Sequence, residues 1–276
     1  MKVTVFYNHV VTAAKQSGLT LKETAEKCVS FGITGLEVMN TELQEPGAME
    51  NLAILREAGM HINSMPAFCD FGHDSDEAKA RAVVDLAVSL GSDKVLAIPG
   101  FITKEEEAQR EKMCQNMVKA LRAMVTYAKE KGVTVGMEDF DGSEAPFATT
   151  AGLKWFMEQV PGLSCFFDTG NFLYSEEDAV QAYRELKPYI KHEIHCKDRG
   201  DKDRGGEKPK VTIAGRAMYP APAGAGIIPL REILTDLLTT TDFDGSLAIE
   251  HFDSCRCLQD MEESARWLWD LVHSVR

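Results

Sequence analysis

Pro188–Arg199, PYIKHEIHCKDR, is the stretch on which the fold of this chain turns. It begins as an apolar-leaning strand and ends in His195, Lys197, Asp198 and Arg199. A plain core strand has no reason to finish on ligand-type and charged side chains. Strand alternation puts His195 and Lys197 on one face and Cys196 on the other. Glu193 has the parity of His195. It is expected one layer deeper in a structural role, with Lys191 as its nearest inward partner.

Seven further strand-like segments surround this one: Val3–Tyr7, Gly35–Met39, Met60–Met65, Lys94–Ile98, Val133–Glu138, Leu163–Asp168 and Leu247–Glu250. Helical patterns separate them. Thr20 and Glu23 form a capping box, and the patterns after it cover Met49–Ala58, Ser75–Leu90, Lys104–Lys131, Thr150–Val160, Glu176–Leu186, Pro229–Thr239 and Leu258–Val275. Gly200–Ala225, rich in charge, Gly and Pro, is expected as a loop. Eight strand–helix units predict parallel strands with crossover helices. A (β/α)8 barrel takes about 250 residues, so one barrel uses nearly all of the 276. The expectation is therefore a single TIM barrel domain over 1–276, with an open doubly wound sheet as the alternative.

Composition narrows the function classes. A net charge of −13 argues against a nucleic-acid surface, which needs a basic stripe. No apolar run approaches the roughly 20 residues of a membrane span, and the start shows no charged leader. Seven cysteines without a zinc-type pairing pattern fit reduced thiols and a cytoplasmic setting.

Three of the expected strands end in acids: Glu138, Asp168 and Glu250. With His195 they occupy the ends of strands five to eight, where this architecture places its active sites. Neighbouring strands lie about 4.8 Å apart, so four strand ends can converge on one ion. Three carboxylates and an imidazole favour Mn2+, Mg2+ or Co2+, with Zn2+ admitted. Asn8, Ser64, His9 and Glu37 are candidates for the pocket wall, Lys197 for polarising a substrate oxygen, and Arg199 for a substrate hydroxyl or phosphate. Trp267 and Trp269 are core or oligomer contacts, which leaves a homo-oligomer open.

Several stretches together resemble the xylose isomerase-like TIM barrel superfamily of sugar and sugar phosphate isomerases and epimerases. They are GVTVGMED at 132–139, FFDTGNF at 166–172, HCKDR at 195–199, PAGAGIIP at 222–229 and LAIEHFD at 247–253. The resemblance implies Glu138, Asp168, His195 and Glu250 as metal ligands. It implies Glu138 and Glu250 as the acid/base pair of a proton transfer through a metal-held enediolate, on a ketose, an aldose or a phosphate of either. Two departures stand out. Asn171 stands where many relatives carry His, so it can hydrogen-bond a substrate but cannot titrate, and Phe140 falls where some relatives place a polar residue. Asn171 leaves room for a lyase or dehydratase acting on a polyhydroxylated substrate. An abasic-site nuclease fits poorly with only seven histidines and the acidic charge. A non-catalytic sugar-binding barrel is the fourth alternative.

Overall fold

The computed structural model describes residues 1–275. Its strands are β1 (Lys2–Phe6), β2 (Ile33–Glu37), β3 (His61–Phe68), β4 (Lys94–Ile98), β5 (Thr134–Met137), β6 (Ser164–Asp168), β7 (Ile190–Gly200), β8 (Lys210–Val211), β9 (Ala217–Ala221) and β10 (Ser246–Glu250). All but β8 and β9 are parallel and close on themselves as a barrel of eight. β1 to β7 pair in chain order, and β10 pairs with both β7 and β1. β4, β6 and β10 are five-residue, largely apolar runs buried along their whole length, as a sheet wrapped by helices requires. Gly136 in β5 is needed because a Cβ there would collide with the Phe166 ring of β6.

The surrounding helices are α1 (Tyr7–Ser17), α2 (Leu21–Ser30), α3 (Ala48–Glu57), α4 (Glu77–Leu90), α5 (Arg110–Lys131), α6 (Thr150–Gln159), α7 (Ala179–Leu186), α8 (Leu230–Thr240) and α9 (Cys257–Val275). Thr20 and Glu23 cap α2 reciprocally, as the sequence predicts. Met113, Met117, Leu121, Met124 and Ala128 form the buried stripe of α5. None of these helices is long and apolar enough to cross a membrane.

Three expectations are corrected. First, β1 stops at Phe6 and α1 starts at once, so Asn8 and His9 lie in a helix and not at a strand end. Second, Gly200–Ala225 is no plain loop. β7 runs on past the barrel and pairs antiparallel with β9, which pairs with β8. Arg204 ties this arm down through Asp260, 2.7 Å away. Third, Lys191 is exposed and does not partner Glu193.

One interior layer departs from the branched apolar filling usual for such barrels. Thr4, Glu37, Asn63, Glu193 and Ser246 meet there, all buried. Asn63 Nδ2 donates to Glu37 Oε1, Glu193 Oε2 and Ser246 Oγ at 3.0 to 3.1 Å. Lys94 Nζ donates to Asn63 Oδ1 at 2.9 Å and lies 3.8 Å from Glu193. A buried carboxylate needs such partners.

Candidate metal centre and active site

The register of the last strands assembles the site. Asp168 lies opposite His195, and Glu250 lies opposite Lys197. Glu138 follows the last residue of β5 directly. Ligand-type atoms of Glu138, Asp168, His195 and Glu250 all lie within 4.8 Å of one another, and all four residues are buried.

Each of these side chains is aimed. Asp168 Oδ1 accepts the backbone N–H groups of Gly170 and Asn171 at 2.7 and 2.8 Å, which turns Oδ2 to the centre. His195 Nε2 lies 3.2 Å from Glu193 Oε1, which leaves Nδ1 facing the carboxylates. That Nδ1 sits 2.9 Å from Glu138 Oε2 and 3.2 Å from Glu250 Oε2. Glu138 Oε2, Asp168 Oδ2 and His195 Nδ1 are buried without an aligned hydrogen-bond partner. Buried polar atoms rarely go unpaired, so three of them converging on one point fit a divalent cation. The donor set, three carboxylates and one imidazole, suits the same group.

Lys197 completes the charge balance. Its Nζ lies 2.5 Å from Glu250 Oε1, 3.4 Å from Asp168 Oδ2 and 2.5 Å from Asn171 Oδ1. Lys197 pairs with these acids from other strands and not with Asp198, its neighbour in sequence. Asp198 instead accepts backbone N–H groups from Arg199, Gly224, Gly226 and Ile228 at 2.9 to 3.1 Å. It thereby pins the 224–228 loop to the barrel mouth.

Burial and neighbours push the acids in opposite directions. Burial raises Asp168 to about 7 and also raises Glu138. Burial acts on Glu250 too, but Lys197 and His195 outweigh it and hold Glu250 low. Burial opposes protonation of His195 and Lys197, yet the surrounding carboxylates raise both. A dication entering the cluster would displace the His195 proton and ionise the acids.

Above the cluster lies a cavity of about 220 Å³. Its apolar wall includes Phe6, Phe68, Phe140 and Phe252, and its polar wall includes Glu138, Glu250, Asn171, Lys197, Arg199 and Lys210. Arg199 is buried here, not solvated at the rim. The other sequence candidates lie elsewhere. Asn8 is on the exposed face of α1, where its Oδ1 accepts from Thr12. Ser64 is buried in the middle of β3 with an unpartnered hydroxyl and does not line the cavity. Glu37 belongs to the deeper polar layer. His9 stacks on His251 at 4.3 Å, behind the cavity wall.

Sequence reasoning missed Asp141, Phe252 and Asp139, and it sees Lys210 only as the end of a charge run, Lys202–Lys210, that could bind phosphate or lie solvated. Asp141, Phe252 and Lys210 reach the cavity from loops or from the antiparallel arm, where no periodicity marks them. Asp139 is buried beside the cluster with both carboxyl oxygens unpartnered, and burial with nearby Asp168 pushes it well above the usual carboxylate range.

A family model described as xylose isomerase-like TIM barrel matches residues 25–271. The chain belongs to that family. Over 187 residues it is 27% identical to inosose dehydratase 1 of Bacillus cereus, covering 66% of this chain and 59% of that protein. The match thus spans under two thirds of the relative's length. Among solved structures, the IOLI protein with a bound zinc atom aligns over 100% of this chain and 99% of its own, with a TM-score of 0.72 and 16% identity. An L-ribulose 3-epimerase aligns over 100% and 96%, with a TM-score of 0.70 and 18% identity. At such identities these structures speak for the fold. The proteins this chain is similar to include epimerases, by fold, and a dehydratase, by sequence.

Proposed function

We propose that this xylose isomerase-like barrel is a metal-dependent enzyme that isomerises or epimerises a small ketose or aldose, or its phosphate. One observation carries the reading: Glu138, Asp168, His195 and Glu250 converge, and Glu138 Oε2, Asp168 Oδ2 and His195 Nδ1 are buried there without an aligned hydrogen-bond partner. When bound, a divalent cation would polarise the substrate carbonyl and offset the crowded carboxylates. Mn2+ and Mg2+ are the first ions to test. Seven free thiols suit a cytoplasmic location.

The chain's own residues supply the proton chemistry. β5, β6, β7 and β10 lie side by side, so Glu138 and Glu250 reach the centre from the two flanks of this run. One carboxylate takes the proton from the carbon next to the carbonyl, and the other carboxyl returns one. Asn171 and Lys197 orient the substrate oxygens, and the phenylalanine wall excludes water.

A dehydratase is the second reading, favoured by Lys197. Its ammonium lines the cavity, paired with Glu250 and held protonated by Asp168 and Glu250. Such a group can donate a proton to a departing hydroxyl while a carboxylate removes the neighbouring carbon-bound proton. The similarity to an inosose dehydratase supports this reading as well.

The test is metal analysis of the purified protein, then incubation with ketoses, aldoses and cyclic polyols in D2O. Solvent deuterium at the carbon next to the carbonyl, with mass otherwise unchanged, supports isomerisation or epimerisation. Loss of water with a new enone absorbance supports the dehydratase. Absence of bound metal together with no exchange on any substrate overturns both.

A further inference from the structure

Arg199 stands apart from the other charged residues of the cavity. Its side chain lines the cavity and is 2% exposed, the largest of the fully buried side chains. Its Nε is buried without a partner. Its Nη1 reaches only the Phe252 carbonyl, at 3.4 Å. No carboxylate among the described residues forms an ion pair with it. The other two cations of the cavity are matched: Lys197 by Glu250 and Asp168, and Lys210 by Asp141 at 2.5 Å.

With a dication in the cluster, three carboxylates, Lys197 and the ion offset one another. Lys210 and Asp141 offset one another as well. Arg199 is then the cavity cation without an ion pair, since Asp253, the remaining acid of the lining, is exposed and forms none with it. A buried, unpaired charge is strongly disfavoured unless something completes it. Tyr174 gives partial compensation, since its ring lies 5.8 Å from the Arg199 guanidinium carbon and 5.3 Å from Lys210 Nζ. The Tyr174 hydroxyl is itself buried without a partner.

We infer that the substrate carries an anionic oxo group, a carboxylate or a phosphate, and that Arg199 binds it, with Lys210 beside it on the antiparallel arm. The inference rests on the functional reading above and narrows it to acidic substrates. A planar guanidinium with a free edge is the side chain best shaped for such a group. Lys210 reaches the cavity only because β7 extends beyond the barrel to support β9 and β8. The cluster would hold the substrate's reacting oxygens, and Arg199 its acidic end.

The test titrates Mn2+-loaded and metal-free protein with D-fructose 6-phosphate, D-gluconate and D-fructose by calorimetry. Wild type is compared with Arg199→Met and Arg199→Lys. An acidic probe should bind the loaded wild type at least tenfold more tightly than D-fructose. Whichever acidic probe binds better identifies the group as phosphate or carboxylate. Arg199→Met should lose that preference by weakening the acidic probes far more than D-fructose, while Arg199→Lys keeps part of it and checks that a lost charge, not a lost fold, is being read. Binding of D-fructose as tightly as both acids, no binding of either acid, or equal weakening of all three probes in Arg199→Met overturns the inference. Mn2+ titrated alone separates this from the wider reading. If wild type binds no Mn2+, the metal reading fails, and the acidic probes with Arg199→Met still decide the role of Arg199.

Discussion

His195 Nε2 lies 3.2 Å from Glu193 Oε1, a carboxylate two residues earlier on the same strand. Burial alone would raise Glu193, but His195, Lys94 and Ser246 outweigh it and keep it ionised. An ionised acceptor at Nε2 fixes the proton there and leaves Nδ1 as the lone-pair donor to the cluster. Partners of this kind are typically worth about 10–100-fold in metal affinity. Glu193→Gln, which keeps an acceptor but removes the charge, is expected to weaken Mn2+ binding by about tenfold or more. Calorimetry measures that loss, and 15N shifts of the imidazole report the tautomer. Unchanged affinity would make the pair a packing feature only.

Metal stabilisation should grow with pH. Asp168 has its folded value raised from 3.8 to about 7 by burial. A raised acid contributes stability that is fully present below about pH 4 and is lost as pH rises through about 7. Without a cation the cluster therefore weakens the fold as the solution becomes neutral. Metal binding runs the other way, because it needs the carboxylates ionised and His195 neutral. The difference in melting temperature between Mn2+-saturated and EDTA-treated protein is expected to be small at pH 5 and large at pH 8. A difference that shrinks with pH would remove Asp168 and His195 from the ligand set.

The strand ends are readable because chemistry and periodicity coincide there. LSCFFD and LAIE are apolar runs that stop on an acid, and β6 and β10 end at Asp168 and Glu250. Alternation also places His195 and Lys197 correctly on one face. It cannot name cross-barrel neighbours, which is why the sequence matches Glu193 to Lys191 when its partners are Asn63, Ser246 and Lys94. Helix α1 carries no start signal, since Phe6 at its N-cap offers no capping side chain. Asn8 is misplaced from sequence for that reason. The antiparallel arm is hidden because β8 has two residues and β9 contains Pro220. The pairing of Lys210 with Asp141 is hidden with it.

Asp198 is expected to matter for stability more than for chemistry. Its carboxylate accepts four backbone N–H groups, three of them from the 224–228 loop. Gly226 packs so closely that a Cβ there would collide with Asp198 Oδ1. Hydrogen bonds to a charged group contribute about 1.5–3 kcal/mol each, and donors left unpaired in a buried place cost about as much again. Asp198→Ala should destabilise the protein by about 3 kcal/mol or more in urea unfolding. Gly226→Ala should show the same direction of change with the carboxylate still present. A near-neutral Asp198→Ala would show that the loop closes on solvent instead.

Lys197 offers the sharpest division between binding an ion and acting on a substrate. It touches Glu250, Asp168 and Asn171, so removing it takes one positive charge away from a site that attracts a dication. Lys197→Met should therefore bind Mn2+ at least as tightly as wild type, since like charges a few ångström apart repel. Turnover should fall by about 10²–10⁴-fold, the range for losing a positioned proton donor. If the dehydratase reading holds, Lys197→Met should still exchange the carbon-bound proton with solvent while water loss stops, because abstraction belongs to a carboxylate and departure of the hydroxyl to the ammonium. Equal loss of exchange and turnover would instead assign Lys197 to substrate orientation. Weaker Mn2+ binding in Lys197→Met would mean that its contacts shape the ligand cage, and that the cluster owes its geometry to the ammonium as much as to the strands.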